Sequence, residues 1–274
     1  MNNINNINNM NNMNIKLRVI IMAAGIMSRW NNYLDIPKHL INIEGEKILH
    51  RTIRLVKKYI SINDDIDIDI DIKVISRIKE GYENPNATLV LRNFNENDIP
   101  PASMTSCEYF IKDKNSINLV LYGDVYFSDD AIKMTNNEII KNYNKENNTF
   151  NKKIVFLGRE GPNLNSGCSY GELFGFLVTG NQANKLIAAI ETVRIYKNKK
   201  LIPRFTTWEV YRYLVDIPLI DHIVRKDEYD NIIFLEICDW TEDFDTQTDY
   251  DNWIYNREIY LFLHNQDSFI SKKS

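Results

Sequence analysis

Arg29 and Lys38 bracket a loop that follows an apolar run, and their placement suits a bound polyphosphate. The run Val19-Ile20-Ile21-Met22-Ala23-Ala24-Gly25 is rich in β-branched residues and ends in two alanines and a glycine. It reads as a buried strand. Where it stops, side-chain bulk disappears and backbone N–H groups can approach a ligand closely. Arg29 in the loop and Lys38 at its far end then set two cations against the single acid Asp35.

Carboxylates that could work opposite these cations occur twice. Ile117–Tyr122 is a second apolar run and ends in Gly123-Asp124. A carboxylate at that point projects into the crevice where α/β sheets bind ligands, although aspartate also serves ordinary turns. The segment Asp239–Tyr250 holds Asp243 and Asp245, which share one side of a locally extended chain. Thr246 and Asp249 stand in capping-box register for a following helix, which accounts for Asp249 and leaves Asp243 and Asp245 without a local task. A third group is Ala102-Ser103-Met104-Thr105-Ser106, whose hydroxyls near a helix start can receive a polar ligand or simply cap the helix.

The opening stretch resembles the signature of the sugar-nucleotide pyrophosphorylase and cytidylyltransferase superfamily. That signature is an apolar strand, Ala-Ala-Gly-x-Gly-x-Arg, a short gap and Pro-Lys. Ala23, Ala24, Gly25, Arg29, Pro37 and Lys38 fall on matching positions, and Met27 stands where the family has its second glycine. Gly45–Ile53 also looks like the family's turn into its first long helix. The resemblance implies a Rossmann-like, GT-A-type α/β fold, a three-layer α/β/α sandwich around a mostly parallel mixed sheet. It implies transfer of a nucleoside monophosphate from a nucleoside triphosphate to a phosphorylated small-molecule acceptor, a sugar 1-phosphate above all, with release of pyrophosphate.

The roles carried over by the resemblance follow residue by residue. Arg29 and Lys38 would act on the phosphates, while Ala23, Ala24 and Gly25 would line the nucleotide. Ser103 would help read the base. Asp124 would be the first Mg2+ ligand, and Asp245, in the Asp-x-Asp-Thr-x-x-Asp segment, the second. Glu172, in a segment similar to the family's Glu-x-x-Gly strand, would face the acceptor; an edge-strand charge is the plainer reading of it. Phosphocholine is an alternative acceptor. A GT-A glycosyltransferase would want Asp-x-Asp at the end of the middle strand, whereas Val125-Tyr126 follows Asp124. A non-catalytic nucleotide-binding protein is a further alternative, less suited to a chain that keeps both cations and both carboxylates.

The elements that must position these groups are legible from periodicity. Leu49, Ile53, Val56 and Ile60 share one helix face, which predicts a helix over 47–59 with Arg51, Arg54, Lys57 and Lys58 on a solvated side. Strands are expected at 16–23, 72–76, 88–91, 117–122, 154–158, 170–178 and 232–238. Further helices are expected at 102–112, 129–144, 181–196 and 206–215. Asp67, Asp69 and Asp71 alternate with isoleucine and read as a solvated acidic face, lacking the glycine turn and terminal Glu of a calcium loop. Residues 1–14 form an Asn/Ile/Met repeat that reads as a disordered tail, leaving 15–274 as a single domain.

Composition narrows the classes. A net charge of −4 over 274 residues gives no broad basic surface for nucleic acid. Cys107, Cys168 and Cys238 are far apart and form neither a disulfide framework nor a zinc pattern. No apolar run has the length of a membrane span, and the Asn-rich start lacks the layout of a signal peptide. A cytoplasmic location without membrane partners is the expectation.

Overall fold

The structure is a computed structural model that describes residues 15–25, 29–31, 33–61, 68–94, 100–144, 146, 149–165, 167–220 and 229–270, the side chains of 264–270 excepted. The expected tail at 1–14, Asp67 and the Met27 position lie outside the described residues. Seven strands form the main sheet: β1 (Ile15–Ala23), β2 (Ile68–Ser76), β3 (Thr88–Leu91), β4 (Ser116–Tyr122), β5 (Ile154–Arg159), β6 (Glu172–Thr179) and β7 (Ile232–Glu236). Their spatial order is β7-β5-β6-β4-β1-β2-β3. All neighbours are parallel except β6, which runs antiparallel to both β4 and β5.

Helices cover both faces, as a mostly parallel sheet requires. They are α1 (Ile48–Tyr59), α2 (Ala102–Ser106), α3 (Asp129–Asn142), α4 (Ala183–Asn198), α5 (Thr207–Leu214) and α6 (Gln247–Ile270). Alternation along β1 feeds two cores. Leu17, Val19 and Ile21 pack with Leu49, Ile53 and Val56 of α1 and Ile132 and Ile139 of α3. Ile20 and Met22 face Leu186, Ile190 and Val193 of α4 and Val210 of α5. The result is the expected three-layer α/β/α sandwich. Among the described residues no helix is long and apolar enough to cross a membrane.

Several local expectations change for identifiable reasons. β2 reaches back to Ile68, in register with Ile15 of β1, and Asp71 is not simply solvated: it lies opposite Arg18 of β1 and accepts from Arg18 Nε at 3.0 Å. Arg51 is likewise no surface cation. It is buried, donating from Nε to the Phe127 carbonyl at 3.0 Å and pairing with Asp129 at 2.8 Å. α2 yields to a 3-10 turn at Cys107–Tyr109, after which the buried Asn118 side chain takes both backbone groups of Ile111, at 2.7 and 2.9 Å. α3 ends at Asn142 because the next two residues pair with Thr149–Phe150. Its start is capped by Ser128, which accepts from the Ala131 N–H at 2.9 Å.

Candidate active site

Three stretches of chain meet at the carboxyl ends of β1 and β4. The first is the loop after β1. Trp30 is buried, donates to the Ile36 carbonyl at 3.0 Å, and packs edge-on against Tyr33 and Tyr250. Pro37 then opens a 3-10 turn over Lys38–Leu40, closed by the Leu40 N–H on the Pro37 carbonyl at 2.8 Å. This turn delivers Lys38 into the cleft with only 6% of its surface exposed. Arg29 stays at the rim, its side chain 63% exposed.

The second stretch is the end of β4. The Gly123 N–H donates to the Met22 carbonyl at 2.9 Å, and a Cβ on Gly123 would lie 2.9 Å from that of Ala23. Only glycine lets the two strand ends come this close, so Asp124 emerges beside Ala24. Gly123→Ala should therefore weaken the fold by about 1–3 kcal/mol, the scale of forced overpacking, read by urea unfolding.

The third stretch comes from far along the chain. Glu242–Asp243 pairs antiparallel with Val125–Tyr126, setting Asp243 opposite Val125. Glu242 is fully buried and is gripped by Arg159 at 3.2 Å through both carboxylate oxygens and by Asn163 Nδ2 at 2.6 Å. Beyond Asp245 the Thr246 hydroxyl and N–H both donate to Asp249 at 2.8 Å, and Thr246 accepts from the Asp249 N–H. That is the capping box expected at the start of α6.

Together these stretches form a cleft of about 300 Å³ lined by Ala24, Gly25, Arg29, Lys38, Asp124 and Asp245 among others. Lys38 Nζ lies 2.7 Å from Asp124, 3.4 Å from Asp243 and 3.5 Å from Asp245. Arg29 takes the other oxygen of Asp245 at 2.6 Å. Burial works against the Lys38 charge, but the three carboxylates outweigh it and hold the ammonium well above its ordinary value. Burial also opposes the Asp124 carboxylate, and Lys38 with His39 brings it below the ordinary range. Asp243 goes the other way. Burial, with the charges of Asp124 and Asp245, raises it well above that range despite Lys38.

The residues singled out in the sequence fare unequally. Arg29, Lys38, Asp124, Asp245, Ala24 and Gly25 share the cleft, while Ala23 lines an adjoining cavity of about 420 Å³ that Gly25 and His39 also border. Ser103 is fully buried, and its neighbours Ala102 and Thr105 form the wall instead. Glu172, the first residue of β6, stands outside the cleft lining. Burial, then the charges of Asp243, Asp245 and Glu242, push its carboxyl up to about 9. Asp243 proves as close to Lys38 as Asp245, a placement that the Asp-x-Asp spacing hinted at.

His39 gives no functional signal in the sequence beyond standing next to Lys38. It is buried, its Nδ1 lies 3.0 Å from the Tyr82 hydroxyl, and burial pushes it down to about 4. The folded protein therefore holds it neutral, whereas the unfolded chain protonates it below about 6.5. Between those values the unfolded state binds the extra proton, so stability falls as pH falls from 6.5 towards 4. The expected loss approaches roughly 3 kcal/mol. Because the raised Asp243 and Glu172 carboxyls act in the opposite sense, the His39 contribution is read as the stability difference between wild type and His39→Gln in urea unfolding, which should shift by that amount against the wild type as pH falls across this window.

The sheet order and the two covered faces define an α/β/α fold of the GT-A kind. No family model matches the sequence, and no curated protein matches it. Among solved structures, the chain is similar to one of Bacillus anthracis described as a glucose-1-phosphate thymidylyltransferase in complex with sucrose. That match has 14% identity and a TM-score of 0.55 over 88% of this chain and 95% of the other. It is also similar to a UDP-glucose pyrophosphorylase complexed with UDP-glucose, at 10% identity and TM-score 0.54 over 89% and 98% of the two chains. Rv0371c of Mycobacterium tuberculosis matches at 11% identity and TM-score 0.51 over 88% and 97%. At these identities the likeness is one of fold.

Proposed function

We propose that the protein is a nucleotidyltransferase, with one domain over 15–274 moving a nucleoside monophosphate from a nucleoside triphosphate to a phosphorylated acceptor, a sugar 1-phosphate foremost. The observation that carries this reading is the meeting of Arg29, Lys38, Asp124 and Asp245 in one cleft, from segments up to about two hundred residues apart. The reaction is in-line attack by an acceptor phosphate oxygen on the α-phosphorus, with pyrophosphate leaving. An acceptor phosphate is already ionised at neutral pH, so no general base is required. Catalysis is then mostly positioning and charge stabilisation. Arg29 at the rim would engage the triphosphate, and Lys38 the oxygens that gain charge at the α-phosphorus. Glu172 would face the acceptor. The three cysteines, whose spacing gives neither a disulfide framework nor a zinc pattern, suit a reducing, cytoplasmic setting.

The donor set fits Mg2+. Asp124, Asp243 and Asp245 offer hard oxygens, and with Glu172 nearby they outnumber Lys38 and Arg29, an imbalance that adds to burial in raising the Asp243 and Glu172 carboxyls. Among the described residues no three side chains cage a metal by themselves. Mg2+ ordinarily takes one or two carboxylates and completes its shell with water and substrate phosphates. Asp124 and Asp245 would hold it, where it would neutralise phosphoryl charge.

Gly25 supports the nucleotide's place. A Cβ there would meet no described atom within 4 Å, and the backbone is not in the left-handed region. Gly25→Val should leave stability nearly unchanged yet raise the KM for the nucleotide on the order of 10-fold, the cost of a forced contact. The primary test is pyrophosphate release with Mg2+ from each nucleoside triphosphate against a panel of sugar 1-phosphates and phosphocholine. Turnover with one base and one acceptor is expected. No nucleotide binding at all would sink the reading.

A further inference from the structure

Lys38 occupies the meeting point of the carboxylates that a divalent ion would need. Its ammonium donates to Asp124 Oδ2 at 2.7 Å and stands 3.4 Å from Asp243 Oδ1 and 3.5 Å from Asp245 Oδ1. A carboxylate oxygen committed to an N–H is turned from a metal, and two cations drawn to the same oxygens repel each other in a shielded cleft. Resting on the nucleotidyltransferase reading, we infer that Lys38 is a tethered counter-ion. It keeps the carboxylates closed to free divalent cations until the phosphates of an incoming nucleotide draw the ammonium away.

The surroundings suit such a displacement. The backbone of Lys38 is fixed by Pro37 and the 3-10 turn, and its neighbour His39 is buried against Tyr82. The side chain beyond is an unbranched four-carbon stem carrying a compact charge, so Nζ can travel while the turn stays. Arg29, mostly exposed at the rim, is placed to meet phosphates before they reach Lys38. Asp245 links the two cations, Arg29 on Oδ2 and Lys38 on Oδ1. A nucleotide that engages Arg29 and Lys38 would thus free both oxygens of Asp245 together with the near oxygen of Asp124. The consequence is an order of binding in which the metal enters with the nucleotide and not before it.

The test is Mn2+ binding to nucleotide-free protein, followed by the electron paramagnetic resonance of free Mn2+, in wild type, Lys38→Met and Lys38→Gln. Both variants should bind Mn2+ about 10-fold or more tightly than wild type, and Mn2+ should raise their melting temperatures more. Lys38→Gln guards against a folding failure of Lys38→Met, since an amide still donates to the carboxylates without a charge. Equal or weaker Mn2+ affinity in a folded variant overturns the inference. So does wild-type binding with a Kd on the order of 1 μM without nucleotide. Binding of labelled nucleoside triphosphate is measured separately: its absence would sink the nucleotidyltransferase reading while the Mn2+ comparison still decides the competition.

Discussion

Lys38→Ala is expected to lower pyrophosphate release by about 100-fold or more, the scale of losing one preorganised electrostatic stabiliser. The expectation follows from position. Lys38 is almost fully buried in the cleft, is held in its protonated form by three carboxylates, and stands between the loop after β1 and Asp124, Asp243 and Asp245. A surface lysine could be replaced by solvent or salt, whereas this one is shielded from both. The defect should appear in kcat, because charge on the α-phosphoryl oxygens grows in the transition state. Steady-state kinetics on the acceptor found by the panel measures it. An unchanged rate would remove Lys38 from the mechanism.

The largest effect on stability should come from Arg159→Leu. Arg159 is 3% exposed and Glu242 not at all, and the two meet through both guanidinium NH groups. Removing the arginine leaves the Glu242 carboxylate buried without that guanidinium, with Asn163 Nδ2 still donating to it at 2.6 Å. Breaking one half of such a pair costs about 3–5 kcal/mol, readable as a lower urea midpoint. Replacing both residues, in Arg159→Leu with Glu242→Leu, should recover much of that loss, because two apolar groups leave no orphaned charge. Turnover should not recover in parallel, since Glu242 fixes the strand that carries Asp243.

Local chemistry explains what the sequence made legible. β1, β3, α1 and the Thr246–Asp249 box are each written in contiguous residues, by hydrophobic period or capping spacing, and the structure has them within a residue or two. The buried roles of Arg51 and Asp71 are not legible locally because their partners, Asp129 and Arg18, lie more than fifty residues away. Nothing in a lysine- and arginine-rich helix says which cation turns inward. Ser103 shows a different limit: a short helix exposes some residues to the cleft and hides others, and one residue of rotation separates Ser103 from Ala102. His39 carried no signal beyond its place beside Lys38, since its burial depends on Tyr82, which arrives from the loop before β3.

The pairing of Glu242–Asp243 with Val125–Tyr126 has a bearing on biosynthesis. All seven strands of the main sheet precede residue 239 in the sequence. A nascent chain can therefore acquire its hydrophobic layers before the second wall of the cleft has emerged from the ribosome. In the interval Lys38 and Asp124 exist without Asp243 or Asp245, and the loop carrying Trp30 lacks Tyr250. Chemical competence would arrive as a late and separate event, so a truncated translation product could resemble the finished protein in its sheet and still be inert.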